Sequence, residues 1–335
     1  LGEMLQSQVG VNNASFGVGV GLPVIRGQSA NRVQILQGGV GNVDASAVSP
    51  DHANSLEPAL AERIEVVRGP ATLLYGNGAI GGVVNVIDNS IPDTMPDGFT
   101  ALLETRNNSV SDQQTSVMKL EGGAGAFAWH LDAIDRSSND TRINGYAINP
   151  ALVDLDDAEA VEQLLESRGH LGNSDVDAES WTVGGSWLLE GGYVGMAYSK
   201  LNNGYGLPAG AHEHHDEEDH EDEQGEEHEE EHEGDIRIVM EQERWDLEGE
   251  AALSGFFTEM HGKLSVVDYQ HAEVEGDGSI GTVFRNDGME GRLLFHLGQI
   301  ADREGVLGVQ FGNREFSAVG EEAFIPATDI SSLAL

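Results

Sequence analysis

The sequence has no cysteine, few basic residues and no long apolar run. Without cysteine there is no disulfide framework. The 335 residues contain 17 Lys and Arg against 58 Asp and Glu, for a formal charge of −41. Such an excess of negative charge excludes a protein that binds the phosphate backbone of nucleic acids. No stretch approaches the roughly 20 apolar residues that a transmembrane helix needs.

The sequence begins at Leu1, without methionine and without a charged-then-apolar leader. We therefore expect any signal sequence to lie outside these residues.

The chain divides into two consecutive segments that differ in their pattern of apolar and polar residues. Residues 1–95 contain short apolar runs separated by Gly, Pro and Asn, which predicts a small mixed α/β domain with a helical start and a short helix at 54–64. The stretch 88–98 has two prolines and reads as a linker. From about residue 96 to residue 335, apolar and polar residues alternate with a period of two.

This alternation predicts nine amphipathic strands, many of about nine to eleven residues. They lie near 99–107, 113–122, 126–137, 179–190, 192–201, 237–252, 257–271, 281–298 and 304–318. Short turns alternate with long polar loops at 138–178 and 202–236, which is typical of outer-membrane barrels. The period alone also fits a soluble β-sandwich, but strand length and aromatic residues near the strand ends favour the barrel. Residues 150–168 predict a short helix on one loop.

The segment "RIEVVRGPATLLYGNGAIGGVVNVID" (63–88) contains G-x-G-x-x-G at Gly76, Gly78 and Gly81. A dinucleotide site needs these glycines to open a helix, whereas a β-branched run follows here. The glycines are therefore predicted to serve tight turns.

Three motifs, "PVIRGQ" (23–28), "RIEVVRGP" (63–70) and "LLYGNGAIGGVVNVI" (73–87), resemble the plug domain of TonB-dependent outer-membrane receptors. The resemblance continues through the later strands. It implies a plug inside a 22-stranded barrel in the outer membrane of a Gram-negative bacterium, surrounded by lipid, that imports a scarce nutrient with energy from TonB. A plug of this size independently requires a wide barrel. Because nine strands cannot close around it, we expect an internal fragment without the TonB contact box.

Within that family, "SPDHA" (49–53) and "GYGLPAGAHEHHDEEDH" (204–220) resemble the zinc-importing, ZnuD-type branch. By this resemblance Asp51 and His52 are the first-choice metal ligands. The alternative to metal binding is a structural turn, in which Asp51 caps the residues that follow and His52 forms a hydrogen bond with a neighbouring residue. Lumen-facing candidates for further ligands are His130, Asp132, Glu248, Glu250 and His296, and the loop "GEEAFIP" adds Glu321 and Glu322, which are preferred.

Residues 211–235 hold six histidines and fifteen carboxylates. Such a loop attracts divalent cations by its field and binds them weakly at several imidazoles. A merely solvated acidic tract is the alternative. The imidazole and oxygen donors suit Zn, Ni, Cu or Fe, and calcium fits if the histidines are incidental. The candidate ligands are His212, His214, His215, His220, His228 and His232.

The preferred hypothesis is a TonB-dependent importer of a divalent metal ion, most simply zinc. One alternative is a receptor for an iron chelate, either a siderophore or haem; another is a surface metal-buffering β-protein without transport. No enzyme is predicted, because no nucleophile, base and orienting group occur at a recognisable spacing.

Overall fold

The structure is a computed structural model that describes residues 1–76, 78–208, 236–300, 303–321 and 326–335. Within these ranges, no helix combines the length and the apolar character needed to cross a membrane. The chain forms a small α/β unit at its N-terminal end and one large antiparallel sheet after it.

The N-terminal unit contains helix α1 and six short strands, and its bounds are as follows: α1 Gly2–Leu5, β1 Val11–Ser15, β2 Gly21–Ile25, β3 Val33–Gln37, β4 Val40–Gly41, β5 Arg63–Val67 and β6 Gly82–Ile87. Strands β1 and β2 form a hairpin, and the other four form a sheet in the order β4-β3-β6-β5. Only the β3–β6 pair of that sheet is parallel. The central strand β6 is almost entirely buried, as its β-branched sequence requires.

The glycine motif behaves as predicted, because Gly76 and Gly78 have φ of 82° and 93° and strand β6 follows directly. The short helix predicted at 54–64 is wrong. A single 3₁₀ turn, Pro58–Leu60, replaces it, and Arg63 already pairs with Ile87 in the sheet. Sheet pairing overrides helical propensity at the end of this segment, from Arg63 onward.

The second part of the chain contains twelve strands and helix α2, Ala158–Glu166. The strands are β7 Thr100–Asn108, β8 Gln113–Ala124, β9 Phe127–Ser138, β10 Thr141–Tyr146, β11 Arg168–Leu171, β12 Val176–Leu189, β13 Gly192–Gly206, β14 Arg237–Ala252, β15 Phe257–Val274, β16 Ile280–Ile300, β17 Arg303–Gly320 and β18 Thr328–Ala334. Ten of them form one antiparallel sheet, β18-β17-β16-β15-β14-β13-β12-β9-β8-β7. In the described residues this sheet is open, with β7 and β18 as its edges.

All nine predicted strands are present, and β18 is a tenth. The loop between β9 and β12 contains the hairpin β10–β11. The helix predicted at 150–168 is shorter than expected, since α2 begins at Ala158. Leu152 and Leu155 are therefore outside the helix and exposed. Short turns at 125–126, 190–191 and 253–256 lie at one end of the sheet, and the strand ends that flank the long connections 139–175 and 207–236 lie at the other.

One face of the sheet is apolar and points outward. Toward the end of the sheet that carries the long connections, which we call the upper end, this apolar surface stops abruptly. On five neighbouring strands a charged outward residue gives way to an apolar or aromatic one: Glu179 to Trp181, Lys200 to Tyr198, Glu243 to Trp245, Asp268 to Val266, and Asp287 to Met289. Tyr198 pairs with Trp245, Trp245 with Val266, and Val266 with Met289. An aromatic and apolar band of this kind marks the lipid-facing zone of a barrel. We call this limit the lipid boundary.

The linker between the two parts lies in a groove on the inner face of the sheet. A Cβ added to Gly184 would lie 2.0 Å from the Ser90 carbonyl oxygen, and one added to Gly195 would lie 2.5 Å from the Ile91 side chain. The Ser186 hydroxyl donates to the Pro92 carbonyl oxygen. The linker backbone therefore packs on the backbone of Gly184 and the Ile91 side chain packs on Gly195, and both contacts require the absence of a Cβ at these positions.

Candidate metal site

The first half of the site is a buried loop, Ala45–Ala53, of the N-terminal unit. The Tyr205 hydroxyl of β13 accepts a hydrogen bond from the Ala53 N–H at 2.8 Å and donates to the Asp51 carbonyl oxygen at 3.3 Å. These bonds hold the backbone on both sides of His52. The imidazole of His52 is thereby aimed at the sheet.

The second half is the upper end of β15. Alternation along this strand turns Val267, Tyr269, His271 and Glu273 toward the inside, where all four are buried. His271 and Glu273 lie beyond Asp268, on the far side of the lipid boundary and next to the long connections.

His52, His271 and Glu273 meet at one point. One ligand atom from each lies within 4.8 Å of the other two. The residues are 0%, 1% and 3% exposed. Two imidazoles and one carboxylate form a common ligand set for zinc, with positions left open for further ligands. This is the candidate metal site.

The hydrogen bonds around the two imidazoles leave one nitrogen of each directed to the centre. His52 Nδ1 lies 3.3 Å from the Ala45 carbonyl oxygen, so it donates there, and His52 Nε2 lies 3.1 Å from Glu273 Oε1. His271 Nδ1 lies 2.8 Å from the Tyr269 hydroxyl, while its buried Nε2 has no hydrogen-bond partner. A proton on Nδ1 and a ligand on Nε2 is an arrangement typical of metal-binding histidines.

Aromatic packing fixes the rings. Phe284 stacks on His271 at a centroid distance of 4.6 Å, and the His52 ring meets His271 edge-on at 4.4 Å. Neither ring can turn away without opening a well-packed core. The two imidazoles are therefore preorganised.

Burial by itself would lower the pKa of His52. The hydrogen bond with Glu273 and the nearby charge of Asp51 outweigh it and raise the pKa of His52 above its ordinary value. In the metal-free protein a proton thus lies between His52 Nε2 and the Glu273 carboxylate. A bound cation would replace that proton, since a metal ligand must be deprotonated.

Of the ligands predicted from the sequence, His52 belongs to the cluster. Asp51 is also buried and accepts from the Ser49 hydroxyl, but its carboxylate is not among the three ligand groups within 4.8 Å. Glu321 is exposed at the end of β17, where its N–H donates to the Gly281 carbonyl oxygen at 3.2 Å. Glu322 and the six histidines at 212, 214, 215, 220, 228 and 232 fall outside the described residues.

The other lumen candidates have different roles. His130 bridges Glu121 and Asp132 at 3.0 and 2.8 Å, so both of its nitrogens are engaged. Glu248 binds Tyr193, His261 and Lys263. His296 pairs loosely with Glu259 at 3.7 Å. These contacts explain the residues as structural ion pairs within the ten-stranded sheet.

Tyr269→Phe tests the arrangement at the candidate metal site. The change removes only the hydroxyl that bonds His271 Nδ1, so we expect zinc affinity to fall by roughly ten- to a hundredfold, as for other outer-shell partners of metal ligands. Isothermal titration with zinc measures it. Tyr193→Phe, which removes a buried hydroxyl bound to Glu248, is the matched control. Equal affinity of the two variants would contradict the assigned role of Tyr269.

Comparison with known proteins shows what the N-terminal unit is similar to. Residues 1–83 match the family described as the TonB-dependent receptor plug domain. This part of the chain is therefore similar to the plug domain of TonB-dependent receptors. We therefore call residues 1–87 the plug and the ten-stranded sheet the wall.

Curated relatives and a solved structure extend this likeness. The chain is 35% identical over 114 residues to the ferric enterobactin receptor PirA of Pseudomonas aeruginosa, covering 30% of this chain and 14% of that protein. It is 49% identical over 63 residues to a hemin receptor of Yersinia pestis, covering 18% and 9%. It also resembles the structure of the copper transporter OprC, with a TM-score of 0.72 at 15% identity over 95% of this chain and 44% of that one.

The chain thus spans less than half the length of these proteins. What the likeness establishes is the fold, a plug followed by antiparallel strands of an outer-membrane β-barrel in Gram-negative bacteria. That architecture agrees with the expectation from the sequence. The relatives are named for different cargoes, so the likeness does not choose among them.

Proposed function

We propose that the protein imports an uncomplexed divalent transition-metal ion, zinc before others, across the outer membrane with energy from TonB of the inner-membrane complex. The observation that carries this proposal is the buried cluster of His52, His271 and Glu273, in which His271 Nε2 has no hydrogen-bond partner. An unpaired buried nitrogen costs about 1–3 kcal/mol, and a cation would offset that cost.

The ligand set favours borderline metals over hard ones. Two imidazole nitrogens and one carboxylate suit Zn, and the same set is used for Fe(II), whereas Ca prefers six to eight oxygens. Because one half of the set comes from the plug and the other from the wall, movement of the plug would separate the ligands. A cargo held this way can be released, as a transporter requires.

The enclosure of the site favours a bare ion over an iron chelate. All three ligands are at most 3% exposed, and Phe284, Tyr205 and Tyr269 pack around them. A siderophore or haem is far larger than a single cation, and such ligands occupy clefts of several hundred Å³. The chelate reading rests on the names of PirA and the hemin receptor and remains the second candidate.

The His-rich segment, residues 211–235, is attached beside the site. Its flanking residues Leu207 and Ile236 are joined by a 2.9 Å backbone hydrogen bond, and both belong to the same buried apolar cluster as Tyr205, Tyr269 and Phe284. Cations gathered by this segment would therefore be concentrated close to His52.

Isothermal titration tests the proposal on the receptor as its bacterium makes it, purified in detergent. Zn, Ni, Cu and Ca are compared in the parent and in the Asp51→Ala/His52→Ala double variant. We expect one tight zinc site that the double variant lacks. Absence of a tight site for any bare ion, together with binding of an iron chelate, would transfer support to the second candidate.

Deletion of residues 211–235 should have a different effect. We expect the tight site to persist and metal uptake to decline only at low external metal, because the segment raises local concentration without supplying the buried ligands. Uptake of ⁶⁵Zn by cells over a range of zinc concentrations measures this. A loss as complete as that of the Asp51/His52 variant would refute the division between capture and binding.

Copper deserves a separate experiment because of Met240, which is buried and lies directly opposite His271 on β14. Thioether sulfur is a soft ligand that suits Cu(I). Met240→Leu keeps the volume of the side chain. Unchanged zinc affinity in this variant supports zinc as the cargo, whereas a selective loss of Cu(I) binding would point to copper.

A further inference from the structure

The outward face of the wall has a groove at the lipid boundary, on strands β7, β8, β9 and β12. Its volume is about 650 Å³. It lies between two rows of residues that pair across these four strands. The lower row is apolar and the upper row is polar: Leu103, Met118, Ala133 and Trp181 below, Thr105, Ser116, Asp135 and Glu179 above. The groove therefore follows the level at which lipid chains give way to headgroups.

Ala133 opens this groove toward the lipid. Its side chain is a single methyl group, and it stands between the longer side chains of Met118 and Trp181 in the lower row. Beyond Trp181 the apolar surface is closed, because the rings of Trp181, Tyr198 and Trp245 follow one another at centroid distances of 5.3 and 4.7 Å. The surface is thus recessed at β9, where an acyl chain has room to pass Ala133 and enter the groove.

A polar pocket of about 920 Å³ lies above the groove. Gln114, Ser137 and Asp177 line it and form the next row along the same strands, each two residues beyond the polar row of the groove. This places them about 7 Å higher. All three are exposed and face outward, since they alternate with the inward residues of their strands. The groove and the pocket are therefore continuous on the outer surface.

The hairpin β10–β11 forms the other side of this pocket, through Arg142, Arg168 and His170. Because one pocket is lined both by these residues and by the outward row of the strands, the hairpin lies beside the outward side of the sheet. Arg142 is anchored there, as its guanidinium donates to the Asp112 carboxylate and to the Ser109 carbonyl oxygen. A headgroup in the pocket would be held between the hairpin and the strands.

The chemistry of this pocket suits sugar hydroxyls. The lining places donors beside acceptors, in the side chains of Gln114, Ser137, Asn139, Arg168 and Asp177. A sugar hydroxyl both donates and accepts, so it can use such a mixture. A phosphate group alone fits less well, because the lining contains more aspartates than arginines: Asp112, Asp140, Asp175 and Asp177 against Arg142 and Arg168. Like charges repel, so the negative lining favours a headgroup bound through its hydroxyls.

We propose that the groove and the pocket together bind one glycolipid of the outer leaflet, with an acyl chain in the recess at Ala133 and sugar residues beneath the hairpin β10–β11. An apolar groove that continues into a polar pocket is complementary to an amphiphile, and the face that carries both is turned to lipid. The outer leaflet is the source because the long connections of such barrels are extracellular. This inference is independent of the metal cargo, since the His52 cluster lies on the inner face.

The test is native mass spectrometry of the receptor as its bacterium makes it, extracted in a mild detergent. Ala133→Phe fills the recess, and Asp177→Ala removes a carboxylate from the pocket. The matched controls are Val194→Phe and Asp268→Ala, which make the same changes at exposed outward positions of β13 and β15, outside the groove and the pocket. We expect the parent and both controls to retain one glycolipid per receptor, and Ala133→Phe and Asp177→Ala to retain it at least several-fold less.

Equal retention in all four variants, a phospholipid in place of the glycolipid, or a parent without retained lipid would overturn the proposal. If Ala133→Phe assembles poorly, Ala133→Leu provides a smaller change at the same position. A second measurement adds the purified outer-leaflet glycolipid, or phosphatidylethanolamine, to delipidated receptor in detergent. The glycolipid alone should raise the Tm of the parent, and it should not raise that of Ala133→Leu. Zinc titration of every variant should match the parent, so failure here leaves the proposed function untouched.

Discussion

Replacing His271 by alanine should abolish tight zinc binding. The variant removes one of the three ligands in the His52 cluster, and His52 and Glu273 alone cannot replace it. Changes in outer-shell partners already weaken metal affinity by about ten- to a hundredfold, so loss of a ligand should exceed a factor of about 100. Zinc titration of the purified receptor measures the change directly.

His261→Ala is the matched control for this prediction. His261 lies on the same strand, but it pairs with Glu248 at 2.9 Å and is remote from the cluster. Glu273→Gln removes the carboxylate charge without loss of side-chain volume. This second variant should weaken zinc binding as His271→Ala does. Tight zinc binding that survives in both His271→Ala and Glu273→Gln would remove the cluster as the site.

Gly184→Val should displace the linker between plug and wall from its groove on the inner face of the sheet. A Cβ at this position would lie 2.0 Å from the Ser90 carbonyl oxygen and 3.0 Å from its carbon, so the linker backbone must move away. Overpacking of this kind typically costs about 1–3 kcal/mol, and backbone cannot yield as a flexible side chain can. We expect the linker at 88–98 to become sensitive to protease, and the outer membrane to admit a large antibiotic such as vancomycin.

The control for this second prediction is Gly172→Val, because an added Cβ there meets no atom within 4 Å. Both variants introduce the same β-branched residue, so a difference between them reports on the contact with Ser90. Equal protease resistance and equal antibiotic exclusion in the two variants would show that the groove does not hold the linker.

The wall could be predicted from its sequence because lipid and interior impose a period of two on every long strand. Along β12, for example, Trp181 and Val183 are exposed while Ser180 and Thr182 are buried. Strand β18 has no such signal, since most of "TDISSLA" is exposed, and only its pairing with β17 makes it a strand. The helix predicted at 54–64 failed for the corresponding reason, because pairing with β6 takes over at Arg63.

Half of the candidate metal site could be found in the same way. His52 follows from its place beside Asp51 in the plug motif, but its partner Glu273 lies 221 residues further along the chain. Spacing cannot connect them. A usable signal did exist, because His271 and Glu273 continue the inward face begun by Val267 and Tyr269 and are the polar residues that end it. Other lumen-facing residues were predicted as ligands instead of these two.

The distance between the His52 cluster and the lipid boundary has a consequence for metal selectivity. Glu273 lies five residues beyond Asp268 at the lipid boundary, which is about 16 Å further along the strand at the usual rise per residue. Under the proposed function, an ion at His52 would thus equilibrate with the external medium before any work is done on the plug. Discrimination between metals would be a matter of ligand thermodynamics and free ion concentrations. The energised step would then move whatever ion that equilibrium had chosen, and a shortage of cellular energy would slow import without altering which metal is bound.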